Sequence, residues 1–320
     1  MSSASSASSA SHASTAFVFP GQGSHRAGAL AAWSGHDAFG IVDQISAGLG
    51  RDVLTVSEDP TAGDRTADAQ PAIMAASLVA WRALIDAGVR ADRLAGHSLG
   101  EYTAAVASGA LSVVDGARVV AARGRAMGAA CVERPGTMAA VLKLHVDAVE
   151  VLVDGVEGVV IANDNGPGQV VVAGDPAAVE VVRARAREAG GRALPLGVEG
   201  AFHSPAMAPA VDAVRAALDG TDVADPGLPV VSGATAREVD RAEPLAEALV
   251  AGILSPVRWR EVQARLAELG TTTLIEVGPG GVLAGLAKRT VPDLTVHTVA
   301  TPEDLGPVVD ALAQPATARR

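Results

Sequence analysis

The segment Gly96-His97-Ser98-Leu99-Gly100 follows a short apolar step, Leu94-Ala95, and opens into an Ala-rich helical stretch over residues 101–110. G-x-S-x-G in that setting demands a strand, a sharp turn and a helix in immediate succession, with glycines removing the side-chain clashes of the corner. Such a unit belongs to a sheet covered by helices, and the flanking chain has the same alternation. Residues 15–19 (TAFVF) form a β-type run closed by Pro20-Gly21-Gln22-Gly23. Helical periodicity covers 70–87, and a second long helix starts near Ser112, a suitable N-cap, and runs to about Ala130. Beyond Gly200, residues 230–231 and 273–277 read as strands with helices between and after them. The chain reads as α/β, with a hydrolase-like parallel sheet.

Between those parts the grammar changes. A strand over 137–142, a helix over 146–153, strands over 159–162 and 169–173 and a helix over 177–189 precede a strand over 193–196. The turn-rich link Asn163-Asp164-Asn165-Gly166-Pro167-Gly168 separates the middle strands. This β-α-β-β-α-β order is ferredoxin-like. The expected organisation is a disordered Ser/Ala leader over 1–14, an α/β domain over 15–133 and 201–320, and a ferredoxin-like insertion over 134–200.

Of the residues, 49% are hydrophobic, yet only 4 Phe, 3 Trp and 1 Tyr are present, so the core must be built of small aliphatics. Few aromatics argue against base-stacking platforms and quaternary-ammonium cages. A net charge of −11 disfavours a phosphate-backbone binder. The single Cys131 excludes an internal disulfide and a Cys-rich metal site. The longest apolar stretch, 71–81, is about half a membrane span, and the leader lacks the basic and apolar regions of a secretory signal. A cytoplasmic enzyme is the expectation.

Ser98 on the elbow is a candidate nucleophile, and the Leu99 N–H at the following helix start is placed to stabilise an oxyanion. The competing reading is an ordinary loop. A serine needs a base. His12 lies in the leader, His145 in the insertion, and His97 points away from its neighbour on a sharp elbow. His203, in Gly200-Ala201-Phe202-His203-Ser204-Pro205, stands where the chain returns to the larger domain and can face the elbow. A structural histidine is the alternative. Arg123 shares a helical stripe with Gly116, Val119, Val120 and Met127, whereas Arg118 and Arg125 lie off it. A guanidinium on an apolar face needs an anion: a substrate carboxylate or a distant acidic side chain. Gly21-Gln22-Gly23 and Gly278-Pro279-Gly280-Gly281 lack the spacing of phosphate loops.

The chain resembles the malonyl-CoA:acyl-carrier-protein transacylases and the related polyketide-synthase acyltransferases. The matching segments are Phe19-Pro20-Gly21-Gln22-Gly23-Ser24, Gly96-His97-Ser98-Leu99-Gly100-Glu101-Tyr102 and Arg123-Gly124-Arg125, followed by Gly136-Thr137-Met138-Ala139-Ala140-Val141 and Asn165-Gly166-Pro167-Gly168-Gln169-Val170. Ala201-Phe202-His203-Ser204, Ser255-Pro256-Val257-Arg258-Trp259 and Glu276-Val277-Gly278-Pro279-Gly280 complete them. The resemblance implies Ser98 as the acylated nucleophile and His203 as its base, oriented by a backbone carbonyl. It implies the Gln22 and Leu99 amides as oxyanion donors and Arg123 as the clamp on a malonyl carboxylate. Asn163 and Asn165 match asparagines near the family's histidine, and Phe202 matches the malonyl-selective form of its motif. It further implies a ping-pong transfer from malonyl-CoA to the phosphopantetheine thiol of an acyl carrier protein, with no cofactor, metal, nucleic acid or membrane partner, by a monomer.

Two departures bear on specificity. His25 stands where the family commonly has glutamine, and Gly252 replaces a glutamine, predicting an altered cleft edge and a roomier or wetter pocket. An acidic carrier protein needs a local basic patch on this acidic chain. Arg183 and Arg187 on the insertion's second helix, with Arg185 between them, or Lys288 and Arg289, are the candidates. The competing functions are an acyl hydrolase of the same family, a transacylase for another acyl group and a non-catalytic docking module. A hydrolase of simple acyl chains has no use for Arg123, and a scaffold has none for Ser98 and His203.

Overall fold

The computed structural model describes residues 14–313. The expected leader therefore lies outside the described residues, except Ser14, which begins the first strand. The N-terminal part runs β1 (Ser14–Phe19), α1 (Ile41–Leu49), α2 (Val53–Glu58), α3 (Thr66–Asp86), β2 (Arg93–Gly96), α4 (Leu99–Ala107) and α5 (Val113–Glu133). Next come β3 (Thr137–Leu142), α6 (Val146–Val153), β4 (Val159–Gly166), β5 (Gln169–Gly174), α7 (Pro176–Glu188) and β6 (Arg192–Pro195). The remainder is α8 (Val211–Asp219), β7 (Val230–Val231), β8 (Glu238–Val239), α9 (Ala242–Ala251), α10 (Trp259–Glu268), β9 (Thr271–Val277), α11 (Val282–Thr290), β10 (Thr295–Val299) and α12 (Leu305–Ala313).

Six strands form one sheet in the order β10-β9-β1-β2-β7-β8, parallel except for the β7–β8 pair. Its centre, β1, buries Ala16, Phe17, Val18 and Phe19 completely. Helices cover both faces, which is why this strand reads as a continuous apolar run. Small residues let the helices close up: a Cβ on Gly124 of α5 would stand 3.0 Å from the Ala67 Cα of α3. That approach matters because α3 and α5 carry site residues.

The other sheet has the order β4-β5-β3-β6 and is antiparallel throughout. With the strands taken as first to fourth in chain order, this is 4-1-3-2, the ferredoxin-like arrangement expected from the pattern. One expectation changes. The link 163–168 is not all turn, because β4 continues to Gly166, with register shifts at Ile161/Asn163 and Asp164/Gly166. Its outer edge is tied to the other part of the chain, the Asp164 N–H donating to the Val257 carbonyl at 2.9 Å and the Val257 N–H to Ala162 at 2.8 Å. Those bonds, and Arg260 Nε to Asp164 at 2.7 Å, keep a polar segment in strand geometry. Among the described residues, no helix is long and apolar enough to cross a membrane.

Candidate active site

Ser98 sits between β2 and α4 with φ 53° and ψ −108°, a conformation that costs a non-glycine residue on the order of 1–3 kcal/mol. The surroundings enforce it. A Cβ at Gly100 would lie 2.0 Å from the Phe19 carbonyl oxygen, and one at Gly96 would run into the Gly100 backbone. The helix begins at Leu99, earlier than its Ala-rich stretch suggests, because Ser98 itself is the N-cap.

His203 is also strained, at φ 56°, and it brings Nε2 to 2.8 Å from Ser98 Oγ. Its Nδ1 faces the Ser255 carbonyl at 3.1 Å. A carbonyl only accepts, so Nδ1 carries the hydrogen and Nε2 is left as the acceptor for the serine proton. The Gly252 backbone also hydrogen-bonds to this ring, so the glycine retains an orienting contact. Burial, then the positive Arg123 and then His97 lower the His203 pKa to about 3. His97 is turned away, bonded to Asn165 Oδ1 at 2.9 Å and edge-on to Trp259.

Arg123 is 2% exposed. Gln70 Oε1 accepts from Nη1 at 2.6 Å, Ser98 Oγ accepts from Nη2 at 3.1 Å, and the guanidinium lies 5.0 Å over the Tyr102 ring. The Tyr102 hydroxyl donates to the Leu249 carbonyl at 2.7 Å, which fixes the ring. The guanidinium's partners are thus a neutral amide, a hydroxyl and a π-face, and its Nε has none. A niche of about 10 Å³ lies beside Ser98, Arg123 and His203, walled also by Glu101, Gly233 and Gly252.

In front of the serine opens a cavity of about 390 Å³. Gln22, Asn163, Asn165, Phe202 and Gln169 line it with Ser98 and His203. Asn165 supports His97, whereas Asn163 Oδ1 is buried without a partner. Leu99 is the first residue of α4 and Gln22 the first of a 3-10 turn, positions whose N–H groups have no partner within the helix. His25 does not line the cavity; it packs against Gly63. Among the described residues, no group of three or more His, Cys, Asp or Glu could hold a metal ion.

One turn at the start of α3 touches three parts of the site. Thr66 Oγ1 accepts from Gln22 Nε2 at 3.1 Å, Gln70 holds Arg123, and the Thr66 N–H donates to Glu199 at 2.7 Å. Glu199 belongs to the strand-to-loop segment leading to Phe202 and His203. It acts as a helix cap delivered from far along the chain, because Arg65 at the N-cap provides none.

A serine–histidine pair beside a buried arginine whose hydrogen-bond partners are all uncharged narrows the comparison with known proteins. Residues 16–308 match the family model described as acyl transferase domain. The chain belongs to this acyl transferase family. It is 36% identical over 313 residues, 93% of this chain and 97% of the relative, to the malonyl CoA-acyl carrier protein transacylase of Bacillus subtilis. The crystal structure of malonyl-CoA:acyl carrier protein transacylase from Xanthomonas oryzae superposes with a TM-score of 0.89 at 40% identity, covering 95% of this chain and 99% of that one. A malonyl-transacylase solved in complex with a type II polyketide-synthase acyl-carrier protein superposes at 0.89 with 34% identity, covering 93% and 100%.

In this acyl transferase Gln22, Arg123, Asn163, Asn165, Phe202 and His203 line the cavity in front of Ser98 and Leu99 follows it, whereas His25 and the candidate docking arginines and lysine lie outside that lining. Sequence reasoning missed Gln70, Thr66, Glu199 and Glu101. The first three carry no local signal, because their partners are distant in the chain. Glu101 did leave one: it is the only charged residue in α4, all nine residues of which are buried.

Proposed function

We propose that this acyl transferase moves a malonyl group from CoA to the phosphopantetheine thiol of an acyl carrier protein. One observation carries the choice of acyl group: Arg123 is buried beside the nucleophile, and its contacts are all uncharged. A buried guanidinium with no hydrogen-bonded anion is poorly satisfied, and a substrate carboxylate held bidentately would supply that paired anion. A hydrolase of simple acyl chains would have no such need.

In the proposed reaction His203 Nε2 takes the Ser98 proton as Oγ attacks the thioester carbon. The oxyanion rests on the Leu99 and Gln22 amides. The C–S bond breaks, and the CoA sulfur leaves with the proton from His203, giving malonyl-Ser98. The carrier thiol then reverses these steps. No resident cofactor or metal has a part. Phe202 at the cavity wall limits an α-substituent, and Asn163 and Asn165 line the approach of the thioester arm. The two sheets act as two domains, 15–133 with 201–320 and 134–200, and the enzyme works as a cytoplasmic monomer.

For the carrier, the two candidate patches differ. Arg183 and Arg187 share Glu180, and Arg185 bonds the carbonyls of Leu152 and Asp154, so that helix face is largely self-compensated. Lys288 and Arg289 are exposed at the end of α11, and Arg289 contacts Gln169 on the cavity wall. We place docking at the second patch.

Intact-mass measurement after exposure to malonyl-, methylmalonyl- and acetyl-CoA, with and without carrier protein, tests the reading. A malonyl adduct that disappears in Ser98→Ala, weakens in Arg123→Ala and discharges only onto carrier protein is expected. Preferred acetylation, or rapid discharge to water, would favour the hydrolase.

A further inference from the structure

Arg123 needs an anion in the acyl-enzyme, but it is buried before any substrate arrives. Glu101 is 4% exposed and lines the same niche from α4. The Ser232 hydroxyl and the Gly233 N–H hydrogen-bond to its carboxyl group, and a Cβ on Gly233 would stand 3.1 Å from Oε2. Oε1 has no partner, and neither does Arg123 Nε. The two residues that carry these unsatisfied atoms line a space about the size of one water. The other ionisable groups lining the niche are Tyr102 of α4 itself and His203 from the loop facing it; the segments around Gly233, Leu249 and 252–257 contribute none.

We propose that Glu101 is the resident counter-charge of Arg123 and takes up one proton from solvent when an acyl carboxylate seats on the guanidinium. The proposal rests on the reading of Arg123 as the carboxylate clamp. The charge arithmetic requires it. In the empty site the Glu101 carboxyl group and the Arg123 guanidinium line the same niche, and each acts electrostatically on the other. A malonyl group, ionised at neutral pH, adds a second carboxylate beside the same buried guanidinium. Two like charges there cannot both be compensated by one cation, and the carboxyl group that the guanidinium does not hold is the one that takes the proton. When the acyl group departs with its carboxylate, the proton returns to solvent, so the cycle balances.

The protonation state of the empty site agrees with this role. Burial raises the Glu101 pKa to about 7, against the lowering effects of Ser232, Gly233 and Arg123. The sign follows. Below pH 7 Glu101 already holds its proton, and a carboxylate binds without further uptake. Above pH 7 Glu101 is ionised in the free enzyme, and each unit of pH weakens carboxylate binding by up to tenfold. An acyl group without a carboxylate escapes this dependence.

Calorimetry on the Ser98→Ala protein, which binds without acylation, separates the possibilities. Malonyl-CoA and acetyl-CoA are titrated from pH 6 to 9 in buffers of different ionisation enthalpy. At pH 8 malonyl-CoA should bind with nearly one proton more than acetyl-CoA, and its affinity relative to acetyl-CoA should fall up to tenfold per unit above pH 7. Adding Glu101→Gln should abolish both differences. Equal proton uptake by the two thioesters, or a pH slope that persists with Glu101→Gln, overturns the proposal. The first of these comparisons needs no Glu101 variant and so does not depend on that variant folding. If malonyl-CoA binds no better than acetyl-CoA at pH 6, the clamp reading fails as well; better binding at pH 6 with a flat pH profile removes only Glu101.

Discussion

The two spaces that meet at Ser98 are opposites. The niche behind it holds about 10 Å³ and is walled by an arginine, a glutamate and a histidine, all buried. The cavity before it holds about 390 Å³; it shares Ser98, Arg123 and His203 with the niche and adds the neutral amides of Gln22, Asn163, Asn165 and Gln169. Glu101 lines only the small space, where low polarity makes a charge most discriminating. Neutral groups and apolar walls serve the large one, where a long flexible arm must enter and leave. Under the proposed function, the charged groups bordering the niche recognise the acyl carboxylate and the cavity passes its carrier.

The most severe way to break this division is to remove the niche's cation. Arg123→Ala should reduce malonyl acylation by roughly 30- to 1,000-fold, a loss of about 2–4 kcal/mol, while leaving acetyl acylation within a few-fold. Arg123→Lys should recover little, since an ammonium cannot reproduce the two-pronged hold. Single-turnover rates with both thioesters check this, and an equal loss for both would show the arginine to be structural.

A smaller effect is expected on the cavity side. Phe202→Ala opens space without touching charge, so it should raise methylmalonyl relative to malonyl acylation by about tenfold, the scale of one methyl group in an apolar pocket. Competition between the two thioesters, read by intact mass, measures it. An unchanged ratio would move α-substituent selection into the niche, beside Gly252.

The smallest effect is one of pH. A histidine with its pKa near 6.5 would lose most of its basic form by pH 5. His203, held at about 3 chiefly by burial, stays neutral across that range. Malonyl acylation should therefore change by less than about twofold between pH 5 and 6.5 in a stopped-flow pH series. A midpoint near 6.5 would mean that the niche is wetter than its walls suggest.

These contrasts also explain what the sequence disclosed. Ser98 and its elbow were legible because glycines at fixed spacing are required by sterics, and the second sheet because β-α-β-β-α-β is a local order. Arg123 stood out as a charge on an apolar stripe. The polar run 163–166 was read as turn, and it is strand, because its hydrogen-bond partners, Val257 and Arg260, lie about 90 residues away. Glu199 was invisible for the same reason: a helix cap is legible only when it is a neighbour in the chain.

That cap has a consequence of its own. The turn from Thr66 to Gln70 is a shared datum from which the Gln22 loop, the Arg123 clamp and the segment carrying His203 are all surveyed. A displacement of that one turn is a common-mode error, in which donors, clamp and base drift together and keep their spacing. Injury to any single contact is a differential error, in which one part leaves the others. On the proposed roles, the fold thus makes these parts tolerant of motion in the body of the protein and sensitive to motion among themselves.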